Sequence, residues 1–244
     1  MSALRNQVAV VTGASRGIGE AIALNLARQG ARLHLVGREQ RTLEAIEHAA
    51  RPTATSVRCH QADLADETDL DSLVTTLQRD VPCVDILVHA AGVLWWGPME
   101  TANADRLDSH YQTNVRAPYR LTCGLLPGLK ARHGQVVFVN SSAALTARAN
   151  VGQYAASKHA LKAVADSLRE EVNPAGVRVL SLFVGRTAGE MQRSLHAAEG
   201  KAYRPELLIQ PQDVADVALH ALSLPRTVEV TDVMLRPMIK YPAS

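Results

Sequence analysis

Cysteine is scarce in this chain, and its pattern argues against two classes of protein. Cys59, Cys83 and Cys123 are odd in number, scattered and without metal-ligand spacing, so neither a disulfide framework nor a zinc site is indicated. They read as reduced thiols, the ordinary state of cysteine in the cytoplasm. Long hydrophobic runs are also absent. No apolar segment reaches membrane-spanning length, and the start, MSALRNQVAVVTG, runs into a strand pattern without a signal-peptide core. Charge of one sign is not in excess: the formal net charge is +2 with both signs interspersed, which leaves no footprint for nucleic acid. No Ser/Gly/Pro-rich spacer, low-complexity tract or repeat period divides the chain. The expectation is a single cytoplasmic domain over 1–244, with no metal, membrane or nucleic-acid partner.

With 244 residues and 47% hydrophobic content, the chain can bury a large core. Short, apolar, β-branched runs (QVAVV, RLHLV, TSVRC, VDILVH, GQVVFVN, VRVLSLF and TVEVTDVML) read as buried strands. Helical patterns alternate with them over 17–29, 39–50, 67–79, 104–132 with an internal break, 151–172 and 211–224. Strand alternating with helix predicts right-handed crossovers and a parallel, doubly wound α/β sheet covered on both faces.

Two segments carry chemistry. In YAASK, Tyr154 and Lys158 stand four residues apart on a helical stretch, so a phenol and an ammonium share one helix face. A phenol with pKa ~10 is a poor proton carrier at neutral pH, and a nearby cation stabilises its phenolate. At the other end, TGASRGIG follows a strand and opens a helix, with Gly13, Gly17 and Gly19 at the turn. Glycine allows close backbone approach to a ligand, and a helix start offers unpaired N–H groups to a pyrophosphate.

These segments, with Asp63, the HAAG turn at 89–92, Asn114 and Ser141 in that order, resemble the short-chain dehydrogenase/reductase family over nearly the whole chain. The resemblance implies a seven-stranded Rossmann sheet in the order 3-2-1-4-5-6-7, with ligands bound beyond the carboxyl ends of the strands. It implies carbonyl–alcohol interconversion by hydride transfer, with Asn114, Ser141, Tyr154 and Lys158 as the catalytic set. Tyr154 would transfer the proton and Ser141 would bond the substrate oxygen, although its neighbour Ser142 could be mistaken for it. Lys158 would lower the tyrosine pKa and bond the nicotinamide ribose. Asn114 would hold a helix kink.

The implied dinucleotide site comprises Gly13, Ser15, Arg16, Gly17, Ile18 and Gly19 in the first turn; Gly37 and Arg38 after the second strand; and Asp63 and Leu64 after the third. It continues through Ala90, Ala91 and Gly92, then Tyr154 and Lys158, and finally Val184, Gly185 and Thr187. Where relatives selective for NAD place an acid, this chain has Gly37, and Arg38 follows with a guanidinium suited to a 2′-phosphate. NADP(H) is therefore expected to be preferred over NAD(H), unless Arg38 is a solvated helix-start residue. Asp63 and Leu64 stand at the adenine position, the alternative for Asp63 being a cap on the helix that follows.

Three departures from the family pattern stand out. Ala90 replaces an Asn that ties neighbouring strands together. His89 stands at a strand end, where a His is ordinarily packed or capped. The turn after the sixth strand has Val184 for the family's proline and Gly189 for its threonine, leaving Thr187 as a substitute hydroxyl. Residues 188–209 fall at the family's variable substrate lid, where Met191, Leu195 and Tyr203 are candidate contacts. Trp95 and Trp96 either line the pocket or pack a surface loop. A small carbonyl or alcohol substrate and a homodimer or homotetramer are the partners the resemblance implies. A dinucleotide sensor without turnover is the rival reading. A sugar-nucleotide epimerase would need an added substrate domain, for which residues 159–244 leave little room.

Overall fold

The computed structural model describes residues 4–239, so the first three and last five residues of the expected 1–244 span lie outside the described residues. Seven parallel strands form one sheet: β1 (Val8–Thr12), β2 (Arg32–Gly37), β3 (Ser56–Gln61), β4 (Ile86–His89), β5 (Gln135–Ser141), β6 (Arg178–Val184) and β7 (Asp232–Leu235). Their order is β3-β2-β1-β4-β5-β6-β7, the doubly wound Rossmann arrangement. Helices α1 (Gly17–Arg28), α2 (Gln40–Ala50), α3 (Glu67–Asp80), α4 (Ala104–Tyr111), α5 (Ala117–Ala131), α6 (Gly152–Val172), α7 (Glu190–Ala198) and α8 (Pro211–Ser223) connect them.

Successive side chains of a strand point to opposite faces, so each buried strand feeds two cores. Ala9, Val11, Leu33, Leu35, Val137 and Leu182 pack on one side with Ile22 and Leu26 of α1 and Val214 and Ala218 of α8. Val10, Val36, Leu87, Val136, Phe138 and Val179 pack on the other with Leu73 and Leu77 of α3, Leu121 and Leu125 of α5, and Leu161 of α6. This two-sided burial explains why the strands read as continuous apolar runs.

The break expected within 104–132 is a π-helical turn at Gln112–Arg116, between α4 and α5. Pro118 stands four residues after Asn114 and has no N–H to offer its carbonyl. The ladder widens there, and the Ala117 N–H reaches back to the Gln112 carbonyl. The last strand is shorter than the expected 227–235. The Glu229 carboxylate accepts the Val179 N–H at 2.9 Å, a role that a backbone carbonyl would fill in a longer strand. Residues 188–209, where a substrate lid is expected, contain α7, which the strand and helix patterns had not marked.

With Ala90 offering no side-chain polar group, a tie between β1 and the end of β4 comes from Thr12. Its buried hydroxyl donates to the Val88 carbonyl at 3.3 Å and accepts from the N–H groups of Ala90 and Ala91 at 3.2 and 3.3 Å. Thr12→Val keeps the shape but leaves these N–H groups without their acceptor, so we expect a loss of about 2 kcal/mol of stability. The melting temperature should fall by about 4–8 °C. Urea and thermal denaturation of both proteins measure it, and unchanged midpoints would remove Thr12 from this role.

Candidate active site

The carboxyl ends of β1, β4, β5 and β6 open on one edge of the sheet, and the first turns of α6 lie across it. Tyr154 and Lys158, on that helix, are both nearly buried at 9% and 4% exposure. Ser141 ends β5, and its hydroxyl is within hydrogen-bonding reach of the Tyr154 phenol while accepting the Ala143 N–H at 3.1 Å. Ser142 is exposed and begins a short 3₁₀ turn. Of the two serines, Ser141 is the one brought to Tyr154.

Burial raises the Tyr154 phenol above its ordinary pKa, and the hydrogen bond from Ser141 opposes that rise. Burial pushes Lys158 in the other direction, from 10.5 down to about 8. The ammonium lies 5.9 Å from the Tyr154 ring centroid and donates to the Val139 carbonyl at 3.2 Å. The lowering of the tyrosine pKa expected from Lys158 is therefore not what governs the phenol here; desolvation is.

Asn114 occupies the π turn and is 1% exposed. Its side chain accepts the Val93 N–H at 2.9 Å and donates to the Val93 carbonyl and to Ser157 Oγ, both at 3.0 Å. Gly92 lies alongside. A Cβ there would come 3.3 Å from Asn114 Oδ1 and 3.8 Å from Lys158 Nζ, so its hydrogen lets the loop approach both. His89 is packed, as expected of a strand-end His: it stacks on Phe138, bonds Thr122 Oγ1 at 2.8 Å, and is held neutral by burial, with its pKa down to about 3.

The glycine turn has two different reasons for its glycines. A Cβ on Gly13 would fall 2.7 Å from the Ala91 backbone nitrogen, and one on Gly19 would fall 2.2 Å from the Gly13 carbonyl. Gly17 is left-handed, with φ of 63°, and has open space beside it. Arg16 precedes α1 without a side-chain cap, so the first N–H groups of that helix face outward beside Ser15 and Ile18. Arg16 and Arg38 are exposed, and neither is in an ion pair among the described residues. At Gly37 a Cβ would meet Ser15 Oγ at 2.4 Å.

Asp63 is exposed and accepts the Ala65 N–H at 3.0 Å, while Leu64 is buried against α3. The helix cap that Asp63 could have supplied comes instead from Asp66, which accepts from the Asp69 N–H. Val184 ends β6, Gly185 donates to the Leu235 carbonyl at 2.8 Å, and Thr187 Oγ1 donates back to the Gly185 carbonyl at 3.2 Å. Ala90 and Ala91 face the glycine turn across the sheet edge, while Gly92 faces Asn114 and Lys158.

The sequence reading missed His110, one turn before Asn114 on α4. It is 2% exposed, bonds the Trp95 N–H at 3.0 Å and meets the Tyr154 ring edge-on at 6.0 Å. A polar residue on the buried stripe of a helix, four before a site residue, was the available signal.

Residues 7–200 match the short chain dehydrogenase family. The chain belongs to that family and is an oxidoreductase on the Rossmann fold. It is 32% identical over 239 residues to a glycine betaine reductase of Emericella nidulans, covering 96% of this chain but only 19% of that protein. Against an oxidoreductase of Staphylococcus epidermidis it is 30% identical, with 98% of this chain and 100% of the relative covered. Among solved structures, the alcohol dehydrogenase of Thermococcus sibiricus complexed with 5-hydroxy-NADP superposes with a TM-score of 0.88 at 28% identity, covering 98% and 100% of the two chains. A metagenomic short-chain oxidoreductase in complex with NADP superposes with a TM-score of 0.82 at 31% identity, covering 97% and 99%. No helix among the described residues is long and apolar enough to cross a membrane.

The depressed Lys158 pKa has a consequence for stability. Below about pH 8 the folded protein carries a buried ammonium, and its desolvation opposes folding in full. Between about 8 and 10.5 the unfolded chain binds the additional proton, so stability rises with pH across that window. Urea midpoints for wild type and Lys158→Met at pH 7, 8, 9 and 10 should show the difference shifting toward the wild type as pH rises. A difference independent of pH would mean that the lysine is not a desolvated cation.

Proposed function

We propose that this protein is an NADP(H)-dependent oxidoreductase that interconverts a carbonyl and an alcohol, with Tyr154 as general acid and base. The observation that carries the reading is the half-buried Ser141 beside the buried Tyr154, with buried Lys158 one turn further along α6, at the sheet edge that the glycine turn also faces.

The residues present fit the dinucleotide. Open space beside Gly17 and the uncapped start of α1 suit a pyrophosphate. Arg38 and Arg16 suit a 2′-phosphate, with no carboxylate at Gly37 to repel it. Asp63 and Leu64 would flank the adenine. Ala90, Ala91, Gly92, Tyr154, Lys158, Val184, Gly185 and Thr187 would surround the nicotinamide half, which supplies or takes the hydride when bound.

In the reducing direction Ser141 holds the substrate oxygen, and Tyr154 gives its proton to that oxygen as the carbonyl carbon becomes an alcohol carbon. The resulting phenolate is stabilised by the Lys158 ammonium, and the proton returns from solvent. Asn114 keeps α6 and the loop after β4 in register. Leu145 and Met191, exposed on the segments after β5 and β6, favour an uncharged, partly apolar carbonyl compound. Exposed Tyr111 and Tyr119 along the α4–α5 face favour a homodimer or homotetramer, and the reduced-thiol pattern favours the cytoplasm.

The test is NADPH oxidation across a panel of aldehydes, ketones and quinones, run with wild type and Tyr154→Phe. The phenylalanine variant should lose about 10²–10⁴-fold in turnover and keep cofactor affinity within about a few-fold. Retention of most of the rate would move proton transfer to another group, and no turnover by intact, cofactor-bound wild type would favour a dinucleotide sensor.

Cofactor choice is tested separately. A charge-assisted hydrogen bond is worth about 1.5–3 kcal/mol, so Arg38→Ala should weaken NADPH binding roughly ten- to a hundredfold and leave NADH nearly unchanged. Adding Gly37→Asp should reverse the preference, although its Cβ first requires Ser15 Oγ to rotate away. Calorimetric titration of both cofactors decides it. Equal wild-type affinities would mean that Arg38 is only a solvated arginine.

A further inference from the structure

Val93–Gly97 forms a strap across the site, held at points that have no direct part in hydride or proton transfer. Asn114 grips both backbone groups of Val93. Two residues on, the Trp95 N–H is bound by His110 Nε2 at 3.0 Å, and the Arg106 guanidinium lies over the Trp95 ring at 5.8 Å. The Gly97 N–H donates to the Asn150 carbonyl at 2.8 Å, just before α6, and a Cβ on Gly97 would fall 2.4 Å from the Trp95 ring. His110 itself meets Tyr154 edge-on at 6.0 Å.

We propose that His110 is a positioning residue: fixed as one neutral tautomer, it locks Trp95 and the flank of Tyr154 into a single arrangement and thereby forms one wall of the substrate pocket. The assignment of a pocket rests on the oxidoreductase reading; the lock itself does not.

The tautomer follows from the partners. A backbone N–H can only donate, so Nε2 must accept. Nδ1 lies 2.6 Å from the Arg106 carbonyl, which can only accept, so Nδ1 carries the hydrogen. Burial lowers the His110 pKa, the bond to the Arg106 carbonyl works against that, and the charges of Arg106 and Lys158 add to the lowering. Tyr154, Arg106 and Lys158 are the titratable or charged groups that face it. A second proton would set Nε2–H against the Trp95 N–H, so acid releases the strap.

The molecule carries its own reporter, because Trp95 and Trp96 are its two tryptophans and both lie on the strap. The experiment compares wild type, His110→Leu and His110→Gln. The glutamine can place a carbonyl oxygen where Nε2 accepts, and the leucine cannot. Acrylamide quenching of tryptophan emission should increase about twofold in the leucine variant, with KM for the best carbonyl of the panel rising about tenfold. NADPH affinity should stay within about twofold, and glutamine should restore both quenching and KM. On acidification, wild-type emission should change below the ordinary histidine range, and that transition should be absent from the glutamine variant.

Unchanged quenching in the leucine variant, failure of glutamine to restore it, or an acid transition that persists in the glutamine variant would each overturn the proposal. If leucine prevents folding, the glutamine variant and the acid transition still decide. If wild type turns over no carbonyl, the oxidoreductase reading fails, while quenching and the pH titration still test the lock.

Discussion

The side-chain amide of Asn114 joins three segments through one buried group: the π turn that bears it, the loop after β4, and α6. It matches Val93 as a neighbouring strand would, accepting its N–H and donating to its carbonyl. Its remaining donor hydrogen goes to Ser157 Oγ, which in turn donates to the Tyr154 carbonyl at 2.8 Å. Asn140 makes a second anchor from β5, donating to the Lys158 carbonyl at 3.2 Å and accepting the Ser141 N–H at 2.8 Å. Two buried amides thus fix the backbone beneath Tyr154, Lys158 and Ser141. Each is bonded on both its oxygen and its nitrogen, which is the condition under which buried polar groups specify geometry without a large desolvation penalty.

That fixed backbone places a phenol and an ammonium in a dry site, where burial works on both in the same sense. It raises the tyrosine and lowers the lysine, so each alone resists its charged form. A phenolate beside an ammonium, however, carries no net charge, and the low dielectric that penalises either one strengthens their attraction. Ser141 adds a neutral hydrogen bond that favours the phenolate at no charge cost. The arrangement suits a phenol that must release a proton and recover it, and it explains why Lys158 is held near the tyrosine without being bonded to it.

Much of this was legible in the chain itself, because the features with strict spacing are those tied to local backbone geometry. The glycines of TGASRGIG, the i, i+4 pair of YAASK and the apolar strand runs each report a single element. What stayed hidden depends on residues far apart in sequence. Thr12 ties β1 to the backbone of the HAAG turn, and nothing in HAAG announces that. Glu229 ends a strand early because its carboxylate meets Val179. His110 reads as an ordinary helical histidine until Trp95 is brought beside it. The Asp63 cap failed for a local reason: Asp66 stands one position before α3 and takes the role. The direction of the tyrosine shift was misjudged because sequence spacing shows the cation but not the depth of burial.

The departures in the turn after β6 illustrate how a missing constraint can be replaced at a distance. Without proline at Val184 and with glycine at 189, that turn has little intrinsic stiffness. A single parallel bridge between Thr187 and Ile209 closes it instead. The Ala188 N–H bonds the Ile209 carbonyl at 2.8 Å, and the Ile209 N–H bonds the Arg186 carbonyl at 3.1 Å, so both ends of the 188–209 segment are joined at its base. Above that base, Arg186 pairs with Glu199 at the end of α7. Tyr203 accepts the Gly189 N–H at 2.9 Å and carries the Arg193 guanidinium over its ring at 4.6 Å. Residues 188–209 are therefore held largely by contacts with one another and with Arg186. Changes in α7 can reshape the rim while leaving the buried phenol and lysine undisturbed, because the anchors of those groups run through Asn114 and Asn140 on the other side of the sheet edge.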